Sequence, residues 1–222
     1  REDSFRGVAR PVVAGLNRVG TLTKILEVPP VGPARLERII DFEVEGSIQW
    51  DVDRMGYGYF PLSGPRTHAR RLVMVGLARA EVLEEFEARM RSAGLATFET
   101  DLTAIGLFHA TALSARPAGD WIAVNLGAAM TDIAAGSGDD LLYTRTLPGG
   151  TGQLEALVAG RTTGIDAAEA GRILCRRGAI LPPEAESAPE AARLSDLIHE
   201  WFEGRLRLVE ASIKAGADAL GG

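Results

Sequence analysis

The chain has 222 residues, 46% of them hydrophobic, with 24 Lys and Arg against 30 Asp and Glu for a net charge of −6. That supplies a sizeable core, and the acidic balance argues against non-specific nucleic-acid binding, which needs a basic stripe. One cysteine, Cys175, and three scattered histidines, His68, His109 and His199, argue against an internal disulfide and a structural zinc site.

Read in order, Arg10 to Leu16 and Thr21 to Val28 are strands around a turn at Asn17 to Gly20. Pro29 to Pro33 is a stiff break before a helix, Ala34 to Ile48, with Leu36, Ile39, Ile40, Val44 and Ile48 at helical spacing. Tyr57 to Leu62 is a strand turned by Ser63-Gly64-Pro65, and Arg71 to Ala78 returns as a buried strand. An amphipathic helix spans Ala80 to Ala93, with Gly94 as its C-cap, and a strand follows at Ala96 to Glu99. Asp101 caps a helix running to Leu113. Ser114 to Gly119 is a linker.

Trp121 to Thr151 is the most informative stretch. An apolar strand, Trp121 to Val124, meets a small-residue turn at Asn125 to Ala129. Thr131 to Ala135 comes back, Gly136 to Asp140 turns, and Leu141 to Leu147 goes out again. Gly149-Gly150-Thr151 then opens a helix at Gly152 to Ala159. A turn without bulky side chains lets backbone N–H groups approach an anion, and a helix start offers free N–H groups at the positive end of a dipole. The stretch reads as half of a phosphate-binding site. A helix at Asp166 to Arg177, a loop at Leu181 to Ala192 and a long helix at Arg193 to Ala217 complete the chain, the last with Leu194, Leu197, Ile198, Trp201, Leu208 and Val209 on one face.

This stretch resembles the second phosphate loop of the actin-like ATPase fold, whose pattern is Asp-x-Gly-x-x-x-Thr. Within that superfamily the chain resembles the PilM family of type IV pilus assembly, and more distantly FtsA and GspL. Leu26-Glu27-Val28-Pro29-Pro30 with the following helix, Gly94-Leu95 with Thr100-Asp101-Leu102, and Gly164 to Glu169 with Arg172 carry the likeness over roughly Leu22 to Arg177. The resemblance implies a mixed α/β, actin-like (ribonuclease H-like) fold fragment with an inserted small α+β domain: residues 1–21 a remnant of the first subdomain, 22–100 the insert, and 101–222 a truncated second lobe. A first phosphate loop and a Gly-rich adenine loop are not visible, so the chain is expected to be an internal fragment or a variant lacking both.

The resemblance implies ATP or ADP with Mg²⁺ as ligand, held through Asn125, Gly127, Thr131, Gly149, Gly150 and Thr151, with Glu169 and Arg172 at ribose or adenine. Where the family carries Asp, this chain has Asn125. An amide is a weak partner for a hard cation and is no base, so useful ATP hydrolysis is not expected. A plain surface ion pair is an equal reading of Glu169 and Arg172. The histidines lack a nucleophile partner, Cys175 reads as an ordinary helical cysteine, and the carboxylates Asp51 and Asp53 between Trp50 and Tyr57 are a poor cation cage.

The expected function is a non-enzymatic scaffold beneath the inner membrane that binds the N-terminal tail of a PilN-like membrane protein and other pilus platform proteins. The expected docking surface is Pro29, Pro30, Leu36, Ile40 and Phe42, although core packing is the stronger reading for Leu36 and Ile40. An active ATPase and a GspL-like secretion platform protein are the alternatives. No apolar run approaches the ~20 residues of a bilayer span and no signal-peptide pattern opens the chain. The expected place is therefore cytoplasmic, peripheral to the membrane through a partner, with self-association left open.

Overall fold

A computed structural model describes residues 12–47, 54–62, 71–95, 98–178, 180 and 188–220. In chain order it shows β1 (Val13–Leu16), β2 (Thr21–Val28), α1 (Pro33–Ser47), β3 (Met55–Pro61), β4 (Arg71–Arg79), α2 (Ala80–Ser92), β5 (Glu99–Leu102), α3 (Thr103–Ala115), β6 (Asp120–Leu126), β7 (Met130–Ser137), β8 (Asp140–Pro148), α4 (Thr151–Arg161), α5 (Ala167–Arg177) and α6 (Pro189–Leu220). The expectations on Arg10, Ile48, the Trp50 to Asp53 cluster, the Ser63 to Pro65 turn, His68, Ala96-Thr97 and most of the loop from Leu181 lie outside the described residues. The chain divides into two units, Arg1–Asn125 with Asp132–Thr146, and Leu126–Thr131 with Leu147–Gly222.

In the first unit, side-chain alternation along three strands sorts residues to two faces of an antiparallel sheet ordered β2-β4-β3. Leu26, Val28, Val73, Val75 and Leu77 form one buried face and pack with Ile40 and Val44 of α1. Leu36, Ile39, Met55 and Tyr59 close the edges of that core. The Tyr57 hydroxyl donates to Asp41 of α1, and this bond, with some burial, pushes the phenol up to about 12.

The opposite face is built on glycine. Gly58 of β3 lies directly across from Gly76 of β4, and Gly56 is two residues along the same strand. A Cβ on Gly56 would press on Leu83 of α2, and one on Gly76 would touch Leu102, whereas Gly58 has open space above it. Missing side chains at a cross-strand pair leave a trough on the pleated surface.

Strands β1 and β5 pair in parallel, from Val13 with Glu99 to Leu16 with Leu102. The fifth strand thus lies three residues later than its expected start at Ala96. Asp101 sits inside it, accepting from the Leu102 N–H at 2.7 Å, and does not cap α3, whose N-cap is Leu102 without a side-chain bond. Gly94, at φ +91°, takes the expected place just beyond α2.

The meander β6-β7-β8 has the expected order, and its short connections make it antiparallel, because parallel neighbours need a long crossover. Two boundaries differ. Asn125 lies in β6 and not in the turn, and Gly136 lies in β7, where the Trp121 ring takes the place of a Cβ. Trp121 stacks on Phe108 at 5.7 Å and donates to the Gly138 carbonyl at 3.0 Å.

In the second unit Leu154, Val158 and Ala170 pack with Leu174, Leu194, Ile198 and Trp201. Helix α6 begins at Pro189, inside the expected loop, since proline fits a first helical turn. Of the two residues expected together on its inner face, Val209 is buried and Leu208 is exposed.

Ile40 is 0% exposed at the centre of the first core. Ile40→Ala is expected to lower stability by about 3 kcal/mol, read as a fall in the urea midpoint of the transition reporting the first unit.

Candidate functional site

Asn125 belongs to the first unit, and the remaining residues of the expected nucleotide loop belong to the second. In the first unit, the partner of Asn125 is Asp132, fully buried. The Asn125 Nδ2 donates to Asp132 Oδ2 at 3.2 Å, the Asn17 Nδ2 donates to the same oxygen at 2.7 Å, and the Thr146 hydroxyl donates to Oδ1 at 2.8 Å. A buried carboxylate is stable only when such donors replace its water. The amide at 125 is therefore the fitting residue: a carboxylate there would face a second carboxylate. The cluster holds an anion and offers little to a divalent cation. Asn17 turns its Nδ2 to the cluster at a cost, because its Oδ1 is buried without a partner.

In the second unit, Gly127, Thr131, Gly149, Gly150 and Thr151 are brought together, and their polar groups are bonded to one another. The Gly127 N–H donates to the Met130 carbonyl at 3.0 Å, and the Gly149 N–H to the Ala129 carbonyl at 2.8 Å. At the start of α4, the Thr151 and Gly152 N–H groups donate to the carbonyls of Gly127 and Ala128, both at 2.9 Å, and Gln153 donates to Gly150 at 3.0 Å. The Thr131 hydroxyl, fully buried, donates to the Gly149 carbonyl at 2.8 Å. Gly150 has an ordinary extended φ of −158°, so space is what excludes a side chain. Its Cβ would fall on the Gly127 carbonyl oxygen. Gly149, at φ +98°, needs glycine for its backbone as well. The N–H groups that a phosphate would take from Thr151, Gly152 and Gln153 are thus spent on the chain itself, and with an amide at 125 this arrangement does not fit a phosphate–Mg²⁺ cradle.

A buried guanidinium holds this turn from behind. Arg205 of α6, 8% exposed, donates to the Pro148 carbonyl at 2.9 Å and to the Gln153 side chain, and lies over the Trp201 ring at 5.9 Å. The sequence analysis did not single out Arg205. Its spacing of four from both Trp201 and Val209 puts it in register with the apolar stripe, and that was the available signal. Asn17 and Thr146 carried no such signal, because their partner is remote in sequence.

Glu169 and Arg172 form an exposed pair on α5, with Arg172 Nε donating to Glu169 Oε2 at 2.7 Å. The Asp166 side chain caps that helix, accepting from the Glu169 N–H at 2.8 Å. Among the expected docking residues, Pro29 and Pro30 are exposed and Phe42 is 73% exposed. Ile40 is core and Leu36 packs against the core, so these two correct the expectation: their side chains are spent on the sheet. Pro29 and Phe42 line an open groove with Ala34, Arg35, Arg38 and Ile39. The glycine trough on the other face is a second groove of about 360 Å³, walled by Leu16, Met74, Leu102 and Ile105, with Asp101 and His109 at its rim. Among the described residues no helix is long and apolar enough to cross a membrane, and no group of three His, Cys, Asp or Glu is placed to hold a metal.

The fold is mixed α/β. A chain of the PilM–PilN type IV pilus biogenesis complex superposes with a TM-score of 0.75 at 21% identity, over 92% of this chain and 58% of that one. The present chain therefore spans little more than half of that chain's length, and it shares its fold. The cytoplasmic domain of EpsL, an inner-membrane component of the Vibrio cholerae type II secretion system, gives 0.43 at 18% identity, covering 72% of this chain and 60% of that one. A Bacteroides thetaiotaomicron protein with an actin-like ATPase fold gives 0.33 at 12%, covering 60% and 48%. These two superpose too loosely to add to the first. No family profile and no curated protein matches the sequence.

Asn125→Asp is expected to cost about 2 kcal/mol at pH 7, from a lost charged hydrogen bond and a second buried carboxylate. A second carboxylate beside the first raises the pair's proton affinity in the folded chain. The penalty is therefore full above that raised value and shrinks as pH falls toward the unfolded carboxylate value of about 4. Urea unfolding at pH 7 and pH 5 measures it. Gly150→Ala is expected to lower the melting temperature by several degrees, roughly the effect of 1–2 kcal/mol in a chain of this size, whereas Gly160→Ala, which has open space in α4, is expected to leave it unchanged or slightly raised.

Proposed function

We propose that this chain is part of a cytoplasmic, actin-like scaffold of a type IV pilus inner-membrane platform and binds the N-terminal tail of a PilN-like membrane protein. The observation that carries this reading is the glycine trough of the first unit. An extended peptide needs a floor without side chains, apolar walls and an open strand edge. Gly58 and Gly76 supply the floor, Leu16, Met74, Leu102 and Ile105 the walls. Strand β3 is the outer strand of its sheet, with free N–H and C=O groups for main-chain pairing. The fold shared with a chain of the PilM–PilN complex supports the choice of partner.

In this reading residues 22–100 are the insert, and it forms the tail-binding trough together with Leu16 of a first-subdomain remnant at 1–21 and Leu102 and Ile105 of the second lobe at 101–222. Attachment to the membrane comes through the partner. The loop around Gly127 and Gly150 acts as a brace and the protein does not turn over ATP. The Asp132 cluster and the self-bonded start of α4 support that part.

Fluorescence anisotropy with the labelled N-terminal peptide of the PilN-like protein from the same organism tests the proposal. Gly58→Leu fills the trough from a position with open space above it. It is expected to weaken binding at least tenfold, about 1.4 kcal/mol, with little change in melting temperature. Absence of binding to the parent chain at about 1 mM peptide, a free energy near −4 kcal/mol, would overturn the reading.

A further inference from the structure

The groove on the outer side of α1 has a different chemistry from the trough. Its apolar lining is Pro29, Ala34, Ile39 and Phe42. A lone exposed phenylalanine means little, but this one is 73% exposed and set beside two arginines. Arg35 and Arg38 are three apart, hence on one helical face, and among the described residues no ion pair involves either of them. The first turn of α1 holds no acidic side chain and carries Arg35 instead. That reverses the usual preference, since the N-terminal end of a helix is already positive. Two guanidiniums thus stand at the start of a helix whose later turns carry Glu37, Asp41, Glu43 and Glu45, in a chain whose net charge is −6.

We propose that this groove is a second docking site, for an acidic linear segment of a partner protein. Carboxylates of the segment lie on Arg35 and Arg38, where bidentate pairing favours arginine over lysine, and an apolar side chain next to them packs on Phe42, Pro29 and Ile39. The site goes beyond tail binding, because Phe42, Arg35 and Arg38 do not line the trough.

The test uses the whole chain and a fluorescein-labelled probe peptide, Gly-Asp-Glu-Asp-Leu-Phe-Gly-Ser, with the amide version (Asn, Gln, Asn) as control. The expected result is binding that falls about tenfold in the Arg35→Glu/Arg38→Glu double variant and in Phe42→Ala, weakens as salt rises through the Debye range, and is unchanged in Gly58→Leu. All three substituted side chains are on the surface, so circular dichroism and melting are expected to be unaltered. Equal affinity for the amide peptide, no response to either variant, or no binding at about 1 mM would overturn the proposal. So would sedimentation showing that the chain forms a dimer which Phe42→Ala abolishes and the probe does not displace; the groove would then be a contact between copies. Loss of probe binding in Gly58→Leu would also overturn it, by merging the two sites. Because the probe is assayed without the tail peptide, failure of tail binding leaves this result readable.

Discussion

A carboxylate buried without water must be given hydrogen-bond donors, and that requirement organises the first unit around Asp132. Its two oxygens draw in an amide from the turn after β1, an amide from β6 and a hydroxyl from β8. Each donor comes from a different part of the chain, so one charged group fixes the relative positions of three elements. Seen this way, Asn125 is no mere loss of a metal-holding acid. It is the partner that a buried acid seven residues later demands, and it keeps the end of β6 aligned with β7.

The second unit applies the same economy to backbone groups. A helix start has N–H groups with no partner inside the helix, and here the carbonyls of Gly127 and Ala128 take them. That contact is as close as it is because Gly150 carries no side chain. Arg205 completes the arrangement by bonding the carbonyl of Pro148, the last residue before the glycines. The result is a loop braced by its own helix, with Thr131 as a latch within it.

Periodicity made much of this legible in advance. The alternation of Arg71 to Ala78, the helical spacing of Leu36 to Val44 and the small-residue turn near Gly127 each fixed an element and its type. Boundaries drifted where a distant side chain decides the local backbone. Gly136 reads as a turn residue, yet it lies in β7 with the indole of Trp121 where a side chain would stand. Asp101 has the composition of a cap but serves as a strand residue bonded to its own neighbour. The glycines at 149 and 150 announce a close approach without saying what approaches: a phosphate and a carbonyl oxygen make the same demand on the chain. The trough was illegible for a related reason, since Gly58 and Gly76 become neighbours only through the register of β3 on β4.

The sheet of the first unit has helix α1 on one side and the glycine trough on the other, and Phe42 lies on the outer surface of that helix. Two extended ligands seated on these opposite sides do not compete for space. If both belonged to one partner, occupancy of the first would raise the effective concentration of the second, commonly into the millimolar range for a short tether. Two individually weak contacts would then hold like one strong contact, and would release in full when either was blocked.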